Sequence, residues 1–196
     1  MDVRQNPKVR NGFTLIELLV VITVIAILTA LLFPAFKGVQ DQAKRTQARN
    51  DVTQIVTAVN AFYTEYGTYP LAAGTADVTV GGGGDANNAL FTILRGLNAT
   101  VNPRNIIFIS PPDVKDPASP RSGIGRDGQY FDPWGKPYAV AIDGNYDGQI
   151  NNPYGASGGA GSSPIRQGVI AWSLGKDGSL GLSGNFTGSD DVISWQ

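Results

Sequence analysis

Glu17 is the only charged residue within residues 13–36, a stretch otherwise almost wholly apolar. A carboxylate in such a segment costs on the order of 3 kcal/mol at mid-bilayer, less near the interface, so it needs a partner. A second set of oxygens lies in Asp143-Gly144-Asn145-Tyr146-Asp147-Gly148. Oxygens at alternate positions with glycine sixth are how an EF-hand calcium loop begins. The twelfth position is Tyr154 instead of a bidentate glutamate and no helices flank the loop, which excludes a complete EF-hand. Two readings stay open for Asp143, Asn145 and Asp147: a hairpin turn of Asp-Gly chemistry, or a partial metal site completed by Asn151 or Asn152. The chain has no histidine, which removes the commonest general base and the Ser-His and Cys-His pairs. It has no cysteine, so an exported domain must be held by its core or by metal rather than by disulfides.

These groups need elements to place them. A chain of 196 residues supports one globular domain plus an appended helix. Residues 13–36 are long enough to cross a bilayer core of roughly 30 Å as a helix. Arg4, Lys8 and Arg10 precede that run, so the positive-inside rule predicts a single pass, with residues 1–12 cytoplasmic and the remainder exported. Beyond Phe36 the pattern turns amphipathic. Val39, Ala43, Val52, Ile55, Val56, Val59, Phe62, Tyr63 and Tyr66 largely follow three- and four-residue steps, with charged residues on the other face. The pattern predicts one continuous helix over residues 13–66, closed by Gly67: an apolar half over 13–36 and an amphipathic half over 37–66. Its length would be about 80 Å, with roughly 50 Å beyond the membrane. Pro34 removes the helical partner of the Ala30 carbonyl and predicts a kink, loosened further by Gly38.

Residues 67–196 read as the exported domain, and glycine (25 in the chain) is concentrated there. Residues 71–84 read as a flexible loop; no Gly-Lys-Ser/Thr follows the glycine run, so a phosphate loop is excluded. Asp85 is a candidate cap for a short helix carrying Leu90, Ile93, Leu94 and Leu97 on one face. Residues 106–109 read as a strand and 111–126 as a loop. Further short strands are expected over 138–142, 168–174 and 191–195. Strands in succession with no long helix between them predict an antiparallel sheet. The fold class expected is α+β, with the second half of a long N-terminal helix packed on a small antiparallel β-sheet and a loop-rich C-terminal region.

The junction Gly12-Phe13-Thr14-Leu15-Ile16-Glu17 joins the basic leader directly to the apolar run. A secretory signal peptide carries its cleavage site after the apolar stretch; here the glycine comes before it, so cleavage would keep that stretch in the mature protein. The junction resembles the prepilin signature shared by type IV pilins and the pseudopilins of type II secretion. The resemblance implies a pilin-like, lollipop-shaped fold and cleavage after Gly12 by a prepilin peptidase-methyltransferase, leaving an N-methylated Phe13. It also gives Glu17 its partner, the N-terminal amine of a neighbouring subunit, which sets the register of a filament. Pro34 would let the membrane half bend as subunits pack. Loss of the leader removes three cations and the anion Asp2, moving the net charge from −1 to −3. A chain of that charge is not a general nucleic-acid binder.

Three segments in the C-terminal half narrow the resemblance. Asp132-Pro133-Trp134-Gly135-Lys136-Pro137-Tyr138 is similar to the Asp-Pro-Trp-Gly-x-Pro-Tyr signature of the major pseudopilin. Ser173-Leu174-Gly175-Lys176-Asp177-Gly178 and Asp190-Asp191-Val192-Ile193-Ser194-Trp195 follow it in the same order. In that family the last two form a calcium loop. The resemblance implies Asp177, Asp190 and Asp191 as side-chain ligands, the Leu174 carbonyl as a further one, and Ser183 as another candidate. The family's Gly-Gly at this loop is replaced here by Gly181-Leu182-Ser183-Gly184. The resemblance covers residues 8–70 and 128–196; the intervening 71–127 is longer than the family pattern and carries no motif.

The function implied is that of a structural, non-enzymatic subunit of a periplasmic pseudopilus driving protein export by type II secretion. Its partners would be copies of itself, minor pseudopilins, the inner-membrane assembly platform with its ATPase, and the prepilin peptidase-methyltransferase. It would sit in the bacterial inner membrane with its C-terminal domain in the periplasm. The alternatives are a type IV pilin of a surface fibre for adhesion, motility or DNA uptake, and a membrane-anchored glycan-binding module.

Overall fold

A 52-residue helix, α1 (Leu15–Tyr66), dominates the computed structural model, which describes residues 12–72 and 74–196. Within α1, residues 31–35 are described as helical backbone only, so the Pro34 side chain lies outside the described residues, as do residues 1–11 of the leader. The chain forms two compact units, residues 1–42 and 43–196.

In the first unit the helix is apolar all round. Leu15, Ile16, Leu18, Leu19, Val20, Val21, Ile22, Val24, Ile25, Ile27 and Leu28 are each about half exposed or more. A helix of that kind is one that other apolar matter covers. Among the described residues no helix is long and apolar enough to cross a membrane.

In the second unit the rest of α1 is amphipathic, but Ala43 and Tyr63 of the expected apolar stripe lie exposed and Asp51, expected on the charged face, is buried. Ala48, Val52, Ile55, Ala58, Val59 and Phe62 are buried. Gly67 ends the helix as expected: at φ 71° its N–H donates to the Tyr63 carbonyl at 2.8 Å. The strands β1 (Val78–Val80), β4 (Ala139–Ile142), β5 (Val169–Ser173) and β6 (Val192–Ile193) form an antiparallel sheet in the order β1-β4-β5-β6. Val80 pairs with Val140, Ala139 with Trp172, and Trp172 with Ile193. A two-stranded ribbon joins β2 (Gly123–Ile124) to β3 (Tyr130–Phe131).

Both faces of the main sheet are covered. Val140, Ile142, Val169 and Ala171 face the core shared with α1 and with α2 (Asn88–Leu94). Their strand neighbours Ala139, Ala141, Ile170 and Trp172 face a second core, with Ile150, Tyr154, Ala160, Ile165, Leu174 and Ile193. The alternation is the two-residue period of a strand. What closes the second face is loop, not helix.

Four local expectations are corrected. The 71–84 loop contains strand β1, completed by pairing with the edge of β4. The short helix is preceded by Asn87 rather than Asp85, and Leu97 is 65% exposed, one turn past the helix end. Asn87 instead spends its side chain on β3 and on the residue just before β4, donating to the Tyr130 and Tyr138 carbonyls and accepting the Tyr130 N–H at 3.0 Å. Residues 106–109 form no strand, because the N–H groups of Phe108 and Ile109 both turn to the Leu94 carbonyl at the end of α2. The 111–126 loop holds β2.

Candidate functional site

At the N-terminal end of α1, Thr14 and Glu17 form a capping box. The Thr14 hydroxyl and backbone N–H donate to Glu17 Oε2 at 2.6 and 2.8 Å, and the Glu17 N–H reaches Thr14 Oγ1 at 3.3 Å. Threonine three residues before glutamate is the sequence signal for this cap, and it was open to reading. Gly12 is exposed, with nothing within 4 Å of where a Cβ would stand, and Phe13 is 75% exposed.

The acidic loop follows β5. Asp177, Asp190 and Asp191 each bring one carboxylate oxygen to within 4.8 Å of the others. Asp177 is exposed, Asp190 half-buried and Asp191 buried. Asp190 Oδ2 accepts the N–H groups of Lys176 at 2.5 Å and Asp177 at 3.3 Å, which folds the 175–178 turn onto it. Gly175 allows that approach: at φ 63°, a Cβ would stand 2.6 Å from Asp190 Cγ. Asp191 Oδ2 accepts the Gly181 N–H and the Tyr154 hydroxyl, both at 2.7 Å. Asp191 Oδ1 is buried and takes no hydrogen bond from any described residue. Burial pushes the Asp191 carboxyl up; its two hydrogen bonds pull it down, and the charges of Asp190 and Asp177 push it up again. A buried carboxylate with one bare oxygen beside two others is a charge without compensation. Hard oxygens so arranged suit a calcium ion.

Of the other implied ligands, the Leu174 carbonyl accepts the Gly178 N–H at 3.1 Å. Ser183, at φ 55°, is exposed in a turn closed between Leu182 and Asn185.

The Asp-Pro-Trp-Gly turn is tied to the same loop, which sequence reasoning treated as a separate element. Asp132, fully buried, accepts the N–H groups of Trp134 at 2.9 Å and Lys136 at 2.8 Å on Oδ1. Its Oδ2 accepts the Ser173 hydroxyl at 2.5 Å, and Ser173 Oγ accepts the Gly175 N–H at 3.1 Å. Asp132 thus fixes the start of the acidic loop through Ser173. Burial raises its carboxyl, opposed by the Ser173 hydroxyl and the turn's N–H groups. A Cβ on Gly178 would collide with the Lys136 side chain lying across it.

The loop at Asp143 is closed on itself. Asp143 Oδ1 accepts the Asp147 N–H at 3.1 Å and Oδ2 the Gly148 N–H at 2.8 Å. Asn145 Oδ1 also accepts from the Asp147 N–H, and Asp147 Oδ1 accepts the Gln149 N–H. Asn152 instead serves the 152–162 loop, donating to the carbonyls of Ala160 and Ser162.

The sequence pattern of the prokaryotic N-terminal methylation motif matches residues 7–33. Type II secretion system core protein G of Aeromonas hydrophila is 28% identical over 191 residues, 95% of this chain and 92% of that protein. The core protein G of Klebsiella michiganensis is 28% identical over 143 residues, 72% of this chain and 80% of that protein. Type IV major pilin protein PilA of Myxococcus xanthus is 39% identical over 66 residues, only 34% of this chain and 30% of that protein. No solved structure gives a significant match. In its α+β architecture and methylation motif the chain resembles the type IV pilins and pseudopilins. Along most of its length it is similar to core protein G of type II secretion.

Proposed function

We propose that this chain is a pseudopilin: a structural, non-enzymatic subunit of a periplasmic filament that drives folded proteins outward in type II secretion. The observation that carries the reading is the correspondence with core protein G along 95% of the chain, rather than along the helix alone. Leader cleavage after Gly12 exposes the Phe13 amine, and Glu17 of an incoming subunit neutralises that amine in a neighbour. Residues 13–36 hold the subunit in the inner membrane before assembly, with the 43–196 unit in the periplasm. The peptidase-methyltransferase, an inner-membrane platform with its ATPase, and minor pseudopilins act on or with it. Pro34 serves assembly by letting the helix bend.

Calcium orders the C-terminal loop in this reading. Asp177, Asp190 and Asp191 would hold it, with the Leu174 carbonyl and Ser183 as further oxygens. The ion supplies the positive charge that the buried Asp191 carboxylate otherwise lacks. Asp143, Asn145 and Asp147 are read as a turn: their oxygens hold backbone N–H groups, and among the described residues three carboxylates converge at Asp177, Asp190 and Asp191 rather than there.

Shearing and fractionating cells, with the mature N-terminal peptide read by mass spectrometry, tests the filament reading. A methylated Phe13 peptide found mainly with the envelope is expected. Recovery mainly in the sheared surface fraction would favour the pilin reading, which the PilA match over the N-terminal third supports. An uncleaved leader would overturn both.

A further inference from the structure

We propose that Tyr154 is a positioning residue for the cation site: its hydroxyl holds Asp191 Oδ2, leaves Oδ1 to face the ion, and links the order of residues 152–163 to metal binding. This rests on the calcium reading above. Asp191 Oδ2 has two donors of different origin, the Gly181 N–H from the acidic loop itself and the Tyr154 hydroxyl from a segment 37 residues away. Once both are in place, Oδ1 is left without a partner among the described residues.

Tyr154 has little freedom to do otherwise. It is 5% exposed, its ring meets Phe186 edge-on at 5.4 Å and lies 6.2 Å from Trp195. Its N–H donates to Asn152 Oδ1 at 3.0 Å, and Asn152 Nδ2 donates to the Ala160 and Ser162 carbonyls. The 152–163 segment is pinned in turn to the C-terminal strand and loop. The Phe186 N–H donates to the Gly158 carbonyl and Trp195 Nε1 to the Ala160 carbonyl, each at 2.7 Å. Phenylalanine would fill the same space, so packing alone does not require the hydroxyl. Groups that orient a metal ligand from behind typically contribute 10–100-fold to affinity.

The test is calcium titration of the full chain in detergent, comparing wild type with Tyr154→Phe. The variant is expected to bind about 10–100-fold more weakly. Its melting temperature should fall further below wild type in calcium than in chelator, whereas a purely structural role would lower both equally. Equal affinities would overturn the role of Tyr154 and leave the calcium reading standing; a wild-type chain that takes up no calcium would remove both. Amide exchange on the wild-type chain decides the linkage without any variant. Calcium should slow exchange across 152–163, and unchanged exchange there would refute it.

Discussion

Thr14 and Glu17 satisfy each other: the threonine donates twice to Glu17 Oε2, and the glutamate N–H returns one bond to Thr14 Oγ1. The carboxylate assigned to a neighbour's amine therefore also holds its own helix start. The two jobs are compatible, because the box uses Oε2 alone. Cleavage after Gly12, as proposed, would also leave the Thr14 N–H intact as an amide.

The two jobs separate by substitution. Glutamine closes a capping box as glutamate does but carries no charge. Glu17→Gln should therefore keep the helix start yet fail to assemble, and Glu17→Ala should lose both. Filament yield by quantitative immunoblot of sheared or solubilised assemblies is the readout. Normal yield from Glu17→Gln would show that the cap, not the charge, is what assembly needs.

Asp51 gives a pH dependence. It is 8% exposed on the buried side of α1, and the Tyr138 hydroxyl donates to its Oδ2 at 2.7 Å. Burial pushes its carboxyl up, and the hydrogen bonds from Tyr138 and Tyr130 only partly offset this. An acid raised in the folded state binds its proton more tightly there than in the unfolded chain. Its contribution to stability thus falls as pH rises from the unfolded value of about 4 through the raised folded value. Asp51→Asn removes that term. Urea unfolding at pH 4 and pH 7 should show the variant gaining on wild type at the higher pH; a gap independent of pH would contradict the assignment.

Gly81 is where the chain turns out of β1 at φ 76°, and a Cβ there would clash with the Tyr138 carbonyl oxygen. That oxygen already accepts from Asn87 Nδ2 at 2.8 Å, so it is not free to move aside. Gly81→Ala should cost about 1–2 kcal/mol for the backbone conformation, plus the clash. Gly83→Ala, at φ 93° with nothing within 4 Å, should cost the backbone part alone. Thermal unfolding of the two variants compares them directly. Matching losses would mean that the Tyr138 contact carries no weight.

The sequence made the long helix legible because two periodic patterns abut without a break and Gly67 ends the second. The strands β4, β5 and β6 were legible as apolar runs between glycines and asparagines. Strand β1 was not, since three residues beside four glycines gain their shape from pairing with Val140, Ala141 and Ile142. The 106–109 run misled for the converse reason: its apolar residues pack, but their N–H groups find the end of α2 instead of a strand. The acidic trio came from resemblance. Neither Tyr154 nor the Asp132–Ser173 bond could be read, because each joins residues tens of positions apart with no periodic signal.

Calcium removal tests the acidic loop as a whole. A ligand that binds only the folded chain stabilises it by about 2.7 kcal/mol at one hundred times its dissociation constant. For a unit the size of residues 43–196 that corresponds to roughly 5–10 °C in melting temperature. Chelation should therefore lower the melting temperature of the full chain by that order, and calcium should restore it while magnesium at equal concentration does so poorly. Asp177 is exposed, so Asp177→Ala should fold yet lose the calcium response. Asp147→Ala should keep one calcium per chain, because Asp147 lies outside the converging trio of Asp177, Asp190 and Asp191. Loss of calcium binding in Asp147→Ala together with its retention in Asp177→Ala would move the site from the C-terminal loop to the 143–148 turn.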